Sequence, residues 1–269
     1  MRPIIALLTD FGLEDHYVGT MKAVAVGVCP EALFIDITHQ IPPHDVAAAA
    51  QELAAAFQFF PTGTVFLVVV DPGVGGARRG LAAETGGYRF VAPDNGVLSA
   101  AFAALPPKRI VELAEPRYFR PTVSRTFEGR DRFAPAAAWL ARGEALELFG
   151  PPVSDPVRLD LPEPLVGEDN IVGAVVRVDR FGNLITNIPR RSLERLMAEG
   201  PIVVRLADQP VSRLVGTYTD IGDREICGLI GSAGTLELAA RSASAAALTG
   251  CRRLAPVVVR RRADDDSTA

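Results

Sequence analysis

Short apolar runs alternate with segments of helical periodicity through the first half of the chain. Four of these runs predict strands that are buried on both faces, at residues 4–8, 33–36, 64–70 and 88–92. Apolar positions at helical spacing predict a helix over 17–28, and an alanine-rich stretch predicts another over 46–60. Strands that alternate with helices indicate an α/β domain built on a mostly parallel sheet.

The pattern changes after residue 148. Five prolines between 151 and 164 lie in a stretch with little periodicity, which predicts a linker. Short β-like runs then dominate the chain, at 171–178, 202–206 and 226–230, with an alanine-rich segment at 236–248 as the exception. We therefore expect an α/β domain over 1–162, a smaller β-rich domain over 170–260 and a disordered acidic tail over 263–269.

Composition narrows the class of protein. The 269 residues are 48% hydrophobic and 22% charged, as in soluble globular proteins, and the net charge of −4 argues against nonspecific nucleic-acid binding. Three isolated cysteines and three histidines have no metal-ligand or disulfide spacing, so we expect no metal. The apolar run at 4–8 is too short for a signal peptide or a membrane span, which predicts a cytoplasmic protein.

The segment at 68–78, Val-Val-Val-Asp-Pro-Gly-Val-Gly-Gly-Ala-Arg, ends an apolar run on a carboxylate and returns a guanidinium seven residues later. Pro72 stops further strand pairing, and the three glycines allow a sharp turn and a close approach to a ligand. We expect Asp71 and Arg78 to face one pocket. The alternative is a strand-to-loop turn that carries a surface ion pair.

Two further polar residues follow predicted strands. Asp10 comes after the run at 4–8, at an edge where open α/β sheets bind ligands, and it could accept hydrogen bonds from a ribose diol or cap the next helix. Asn95 follows the run at 88–92 and could contact a base edge or occupy a left-handed turn position.

Two polar clusters complete the set of candidates. The segment 127–135, Phe-Glu-Gly-Arg-Asp-Arg-Phe-Ala-Pro, places charges around a glycine before an alanine-rich helix, either as a site or as a plain helix start. The segment 178–187 offers Phe181 between Asp179 and Asn183. One ring that can stack on a base and two polar groups that can bind its edges suit a purine. The alternative is a β-bulge with a buried phenylalanine.

The sequence lacks the common motifs of cofactor-binding loops. Gly73 and Gly75 lack the third glycine of a dinucleotide-binding loop, and no phosphate-binding G-x-x-x-x-G-K-[ST] motif is present.

Several motifs agree in order and spacing with one family. They are 8–12, 41–46, 71–78, 93–96, 127–135, 179–183 and 231–237. This set resembles the S-adenosylmethionine hydroxide adenosyltransferase family, the S-adenosylmethionine hydrolases related to the fluorinase and chlorinase. The resemblance extends from residue 5 to about residue 250.

The resemblance implies an N-terminal α/β domain and an all-β, barrel-like C-terminal domain. It also implies a homotrimer in which the N-terminal domain of one subunit and the C-terminal domain of its neighbour form each active site. The implied reaction is attack of water at the 5′ carbon of S-adenosylmethionine, which yields adenosine and methionine. A sulfonium is already a good leaving group, so no cofactor is expected.

Residue roles follow from the same resemblance. Asp71 would accept a proton or orient the water, and Arg78 would hold that carboxylate ionised. Asp10 matches the ribose-diol carboxylate. Six further residues match family positions around the nucleoside and methionine: Asn95, Asp179, Phe181, Asn183, Ser232 and Glu237. Of these, Ser232 and Glu237 match the methionine end.

The chain departs from the family at Glu128, where the family has a histidine before Gly-Arg-Asp. We expect Glu128 to replace it as a proton acceptor or water-positioning group. Two alternatives are an adenosine-binding or S-adenosylmethionine-binding protein without catalysis, and a halogenase. Halogenating relatives replace the aspartate with tyrosine or glycine, and a carboxylate repels a halide, so Asp71 favours water.

Overall fold

The computed structural model describes residues 2–262 and divides the chain into two compact units, Met1–Leu161 and Pro162–Ala269, named unit 1 and unit 2. The predicted acidic tail, 263–269, lies outside the described residues.

Unit 1 has one mixed sheet with helices. Its strands are β1 Ile4–Thr9, β2 Leu33–Thr38, β3 Val65–Val69, β4 Gly80–Thr85, β5 Tyr88–Pro93 and β6 Arg109–Glu112. Its α-helices are α1 Tyr17–Val28, α2 Val46–Ala56, α3 Ser99–Ala104 and α4 Ala134–Ala141. Short 3₁₀ turns lie at Phe57–Phe59, Pro116–Tyr118 and Leu146–Phe149, and one π-helical turn lies at Gly129–Phe133.

The strand order in this sheet is β2-β1-β3-β5-β4-β6. Strand β1 pairs in parallel with β2 and β3, and β3 pairs in parallel with β5, whereas β4 is antiparallel to both of its neighbours. The parallel strands end at one edge, so the segments that follow β1 and β3 carry their polar residues to the same side of the sheet.

Both faces of the sheet are covered, which explains the unbroken apolar runs. On β1, Ile5 and Leu7 pack in one core cluster with Met21 of α1, while Ala6 packs in a second cluster with Leu53 of α2. Strands that bury both faces have no solvent side to alternate with. The structure therefore confirms the predicted α/β architecture.

Two strands of this sheet were not predicted from the sequence. Strand β4 is rich in alanine and poor in β-branched residues, so its sequence has no strand signal, and it forms a hairpin with β5. Strand β6 has only four residues. Their antiparallel pairing makes the sheet mixed at one end.

The proline-rich segment is not a free linker in its first half. Pro152 forms a bridge with Val111 of β6, and the amide of Val157 donates a 2.8 Å hydrogen bond to Asp94. The amide of Leu159 donates to the hydroxyl of Ser99 at 2.9 Å. Residues up to 161 thus belong to unit 1, because tertiary hydrogen bonds replace the regular pairing that prolines prevent.

Unit 2 is an antiparallel sheet with two helices. Its strands are β7 Leu165–Val166, β8 Asn170–Val178, β9 Leu184–Pro189, β10 Ile202–Leu206, β11 Gln209–Val211, β12 Ile226–Ile230, β13 Thr235–Ala240 and β14 Pro256–Arg261. Its α-helices are α5 Arg190–Ala198 and α6 Ala245–Thr249, and a 3₁₀ turn lies at Tyr218–Asp220.

This sheet has the order β11-β10-β14-β8-β9-β13-β12, with β7 paired to β8. The segment after β11 returns to the other end of the sheet, where Leu214 bridges Gly228 of β12 and the amide of Val215 donates to the Gly228 carbonyl at 2.8 Å. The sheet is therefore nearly closed, as the barrel-like prediction requires.

The alanine-rich segment at 236–248 is only partly an exception to the β pattern. Its first residues belong to β13, which is buried between β9 and β12, and only the part in α6 is helical. Burial between two strands outweighs the weak strand preference of alanine.

Candidate active site

Asp71 and Arg78 form a buried pair just after β3. The Nε atom of Arg78 lies 3.0 Å from both carboxylate oxygens of Asp71, and its Nη2 also donates to Oδ2. Only 5% of the Asp71 side chain and 10% of the Arg78 side chain are exposed. The alternative of a surface ion pair is therefore wrong, because water is largely excluded from this contact.

The loop between these two residues depends on Gly75. Its φ is +74°, and the Nη2 atom of Arg125 donates a 2.8 Å hydrogen bond to its carbonyl. A Cβ atom at this position would lie 2.2 Å from the carbonyl oxygen of Arg125. Both the backbone angle and the close approach require glycine.

Glu128 joins the pair from another part of unit 1. It immediately precedes the π-helical turn, and its Oε2 accepts from Nη1 of Arg78 at 2.8 Å. Burial works to lower the pKa of Arg78, but the hydrogen bonds from Arg78 to Asp71 and Glu128 outweigh it and raise that pKa. The structure therefore brings the three predicted catalytic residues into one cluster.

Arg132 belongs to the same cluster and was missed from the sequence. Its Nη1 lies 3.3 Å from Oε2 of Glu128, its Nη2 donates to the carbonyl of Leu113, and its guanidinium lies over the ring of Phe119. The signal in the sequence is the four-residue spacing from Glu128, which places both side chains on one side of a helical turn.

Asp131 has a structural role in this turn. Its carboxylate accepts from Arg130, from Arg120 and from the amide of Ser124, and its side chain is fully buried. Burial works to raise the pKa of Asp131, but the bonds from Arg130 and Ser124 outweigh it and lower that pKa. Asp131 thereby fixes the loop that precedes Glu128.

Asp10 lies after β1, at the same edge of the sheet as Asp71. Its Oδ2 accepts a 2.9 Å hydrogen bond from the amide of His44, whose φ is +67°. Helix α1 has His16 at its N-cap without a side-chain cap, so the alternative that Asp10 caps this helix is wrong. Asp10 keeps acceptor capacity for a ligand.

Asn95 is engaged with the backbone of two neighbouring segments. Its Nδ2 donates to the carbonyl of Val70 at 2.8 Å, and its Oδ1 accepts from the amide of Val97 at 3.1 Å. These bonds fix the end of β3 next to Asp71. Direct contact of Asn95 with a nucleoside stays a prediction.

Aromatic side chains line the neighbourhood of Asp10 and Glu128 and were also missed. The rings of Tyr17 and Phe127 lie 5.0 Å apart edge to face, and Phe11 lies 6.0 Å from Phe127. The guanidinium of Arg130 lies 5.1 Å from the Phe127 ring. These rings provide apolar surface next to Asp10 and Glu128.

Unit 2 carries a separate group of predicted residues around one cavity of about 770 Å³. All five predicted binding residues of unit 2 line it: Asp179, Phe181, Asn183, Ser232 and Glu237. A cavity of this size accommodates a nucleoside with a short side chain.

Asp179 organises the turn between β8 and β9. Its Oδ1 accepts from the amides of Phe181 and Asn183 at 2.9 and 2.8 Å, and its Oδ2 accepts from the Asn183 amide group at 3.0 Å. The ring of Phe181 is consequently held outward and is 77% exposed. The alternative of a buried phenylalanine is wrong, and the ring is free to stack on a ligand.

Glu237 on β13 is a buried carboxyl group in the same cavity. The hydroxyl of Tyr218, a residue missed from the sequence, donates to its Oε1 at 2.6 Å. Burial raises the pKa of Glu237, and the bond from Tyr218 only partly offsets this. Burial and this bond raise the pKa of Tyr218 to about 12.

Within residues 2–262, no group of three or more His, Cys, Asp or Glu side chains is placed to hold a metal ion. Helices long and apolar enough to cross a membrane are likewise not found in that range.

Known proteins resemble this chain over nearly its whole length. The sequence model of the SAM hydroxide adenosyltransferase N-terminal domain matches residues 5–150, and that of the C-terminal domain matches residues 173–258. A Thermus thermophilus protein named (R)-S-adenosyl-L-methionine hydrolase is 40% identical over 265 residues, which are 96% of this chain and 99% of that protein. A fluorinase of Nocardia brasiliensis is 30% identical over 277 residues, which are 91% and 92% of the two chains.

Solved structures agree with this similarity. The crystal structure of an uncharacterized conserved protein from Thermotoga maritima has a TM-score of 0.91 with 37% sequence identity, and the match covers 96% of this chain and 100% of that chain.

Proposed function

Because the chain belongs to the SAM hydroxide adenosyltransferase family, we propose that it hydrolyses S-adenosyl-L-methionine to adenosine and L-methionine. The observation that carries this function is the buried Asp71 and Arg78 pair at the end of β3, joined by Glu128. Three ionisable side chains in a nearly dry cluster can position one water molecule and accept its proton.

The reaction is a single displacement. The oxygen of water forms a bond to the 5′ carbon, the bond from that carbon to sulfur breaks, and the electron pair stays on sulfur as methionine leaves. One proton of the water passes to a carboxylate of the cluster. Arg78 holds the carboxylate of Asp71 in a fixed direction. Proton transfer to a positioned side chain contributes ~10²–10⁴-fold in comparable enzymes.

The residues that line the cavity of unit 2 support the binding of S-adenosylmethionine. The exposed ring of Phe181 can stack on the adenine. The carboxylate of Asp179 and the amide group of Asn183 line the same cavity and can bind the polar edge of the base. Ser232 and Glu237 lie on the wall of the same cavity and suit the polar methionine end. In unit 1, Asp10 suits the ribose diol.

We further propose that the protein is a homotrimer in which unit 1 of one subunit and unit 2 of its neighbour form each active site. Coexpression of Asp71→Asn chains with Asp179→Ala chains tests this arrangement. Sites made from two subunits would include some with both wild-type halves, so activity returns in the mixture. Sites made within one chain would all carry a substitution, and no activity would return.

A halogenase is the second candidate, because fluorinases are among the relatives. The cluster opposes it, since the carboxylates of Asp71 and Glu128 would both repel a halide ion. Binding of S-adenosylmethionine without catalysis is a third candidate. A cytoplasmic location stays a prediction.

Incubation with S-adenosylmethionine in ¹⁸O-labelled water distinguishes these candidates. Hydrolysis places the label on the 5′ hydroxyl of adenosine and releases methionine, and Asp71→Asn lowers the rate because the forked contact with Arg78 is lost. Formation of a 5′-halogenated nucleoside in the presence of halide would instead identify a halogenase. Tight binding without methionine release over hours would identify a binding protein.

A further inference from the structure

The charges of the buried cluster are balanced only when Arg132 is included. Asp71 and Glu128 are two carboxylates that share Arg78, and this trio alone would bury one uncompensated negative charge. Arg132 is the second cation on Glu128, and 18% of its side chain is exposed. A buried charge is costly without a partner, so the four side chains form a neutral set.

The two carboxylates differ in how their oxygens are used. Both oxygens of Asp71 lie within hydrogen-bond distance of Arg78, in a forked arrangement. On Glu128 both guanidinium groups bind the same atom, Oε2. Within residues 2–262, no hydrogen bond reaches Oε1 of Glu128.

We propose that Glu128 Oε1 accepts the proton of the attacking water, and that Arg132 is the positioning residue that, together with Arg78, holds Oε2 of Glu128 and leaves Oε1 free. The inference rests on the proposed hydrolysis and names the proton acceptor within it. As water bonds to the 5′ carbon and the carbon to sulfur bond breaks, the proton moves to Oε1 and neutral methionine thioether departs. Asp71 then acts by orienting Arg78 and the water.

The surroundings of Glu128 fit this division of roles. Its charged neighbours are Arg78, on the connection from β3 to β4, and Arg132, one helical turn further on. The three atoms nearest to a Cβ at the adjacent Gly129 belong to Met21 of α1, Val69 of β3 and Phe127, which are apolar. The direction of the carboxylate is thus set by the two arginines.

A double-mutant cycle on kcat tests the inference, with wild type, Glu128→Gln, Arg132→Gln and the double variant. Glu128→Gln should lower kcat ~10²-fold or more, because an amide cannot accept the proton, while KM for S-adenosylmethionine changes little. Arg132→Gln should lower kcat about tenfold, the loss expected for one charge-assisted hydrogen bond. The double variant should be no slower than Glu128→Gln alone.

Two further variants distinguish a positioning role of Arg132 from a simple loss of folded protein. Arg132→Lys keeps the charge and should recover part of kcat. Arg89 is a partly buried arginine of unit 1 that donates to the carbonyl of Leu140 at 2.8 Å, so Arg89→Gln is a matched control that should keep kcat per folded molecule. Urea unfolding of each variant gives the folded fraction.

The outcomes separate this inference from the proposed function. If wild type releases no methionine, the proposed function is wrong. If wild type turns over and Glu128→Gln keeps kcat within about threefold, only the proton acceptor is wrong. Equal losses from Arg132→Gln in the wild-type and Glu128→Gln backgrounds would overturn the positioning role of Arg132. If Arg132→Gln fails to fold, Glu128→Gln and Arg132→Lys still decide.

Discussion

The hydroxyl of Tyr218 donates a 2.6 Å hydrogen bond to Oε1 of Glu237 inside the cavity of unit 2. Glu237 is only 5% exposed, whereas Tyr218 is 45% exposed. Burial raises the pKa of Glu237 above its ordinary value of 4.5, and burial together with Glu237 raises the pKa of Tyr218 to about 12. Each shift predicts a dependence of folding stability on pH.

Glu237→Gln should stabilise the fold at neutral pH. The folded protein holds the Glu237 proton more tightly than the unfolded chain, so stability falls as pH rises from 4.5 through the raised pKa of this group. Glutamine can still accept from Tyr218 and does not ionise. Urea unfolding at about pH 5 and about pH 8 measures the difference. Equal gains at the two pH values would contradict the assignment.

Tyr218 should ionise at a higher pH than a free tyrosine, because its pKa is raised. The stability that it contributes is complete below its ordinary pKa of 10.0 and is lost as pH rises through about 12. The absorbance of tyrosinate in wild type minus that in Tyr218→Phe isolates this group from the other three tyrosines. A difference curve with its midpoint at the ordinary value would show that the bond to Glu237 does not persist in solution.

Thr9→Val should destabilise unit 1 by ~1–3 kcal/mol, because it leaves buried polar groups unpaired. The hydroxyl of Thr9 lies 2.8 Å from Nδ1 of His39 and accepts from the amide of Phe11 at 3.2 Å. Nε2 of His39 lies 3.1 Å from Asp36, so this chain of contacts supports the loop that carries Asp10. Adenosine affinity, measured by calorimetry, should fall as well.

Thr38→Val is the control for this change. In the part of the chain that the structure describes, its hydroxyl accepts one local hydrogen bond, from the amide of Gln40 at 3.0 Å, in an exposed setting. We expect a loss of ~0.5 kcal/mol or less in urea unfolding. Similar losses from Thr9→Val and Thr38→Val would argue against a special role for the contact with His39.

Gly75→Ala should lower both stability and kcat. Alanine at a φ of +74° costs ~1–2 kcal/mol in backbone strain, and its Cβ would collide with the carbonyl of Arg125. The loop must then shift, which disturbs the spacing of Asp71 and Arg78. Thermal unfolding and steady-state kinetics measure the two effects.

Gly63→Ala separates the effect of backbone strain at a positive φ from the effect of the collision with Arg125. Gly63 has a φ of +93°, but among the described residues, its two chain neighbours aside, no heavy atom lies within 4 Å of a Cβ at this position. The variant should pay the same kind of backbone strain and keep its kcat. Equal loss of kcat in Gly63→Ala and Gly75→Ala would mean that the collision does not matter for the site.

Much of the fold and part of the site follow from local sequence. The unbroken apolar runs of β1 and β3 predict strands covered on both faces, and the glycines between Asp71 and Arg78 predict a turn that joins them. Strand β4 escapes such reasoning because alanine has no strand preference of its own, and its pairing with β5 and β6 decides its conformation.

The sequence by itself determined the α/β character of the first part of the chain, the β-rich character of the second, the family, and most of the residues whose chemistry the site uses, because these depend on side-chain type and short spacing. Only the tertiary structure decided that Arg132 shares Glu128 with Arg78, that Tyr218 binds Glu237, and that Asn95 fixes the end of β3. These contacts depend on strand register and on how segments distant in the chain pack. No local pattern encodes such distances.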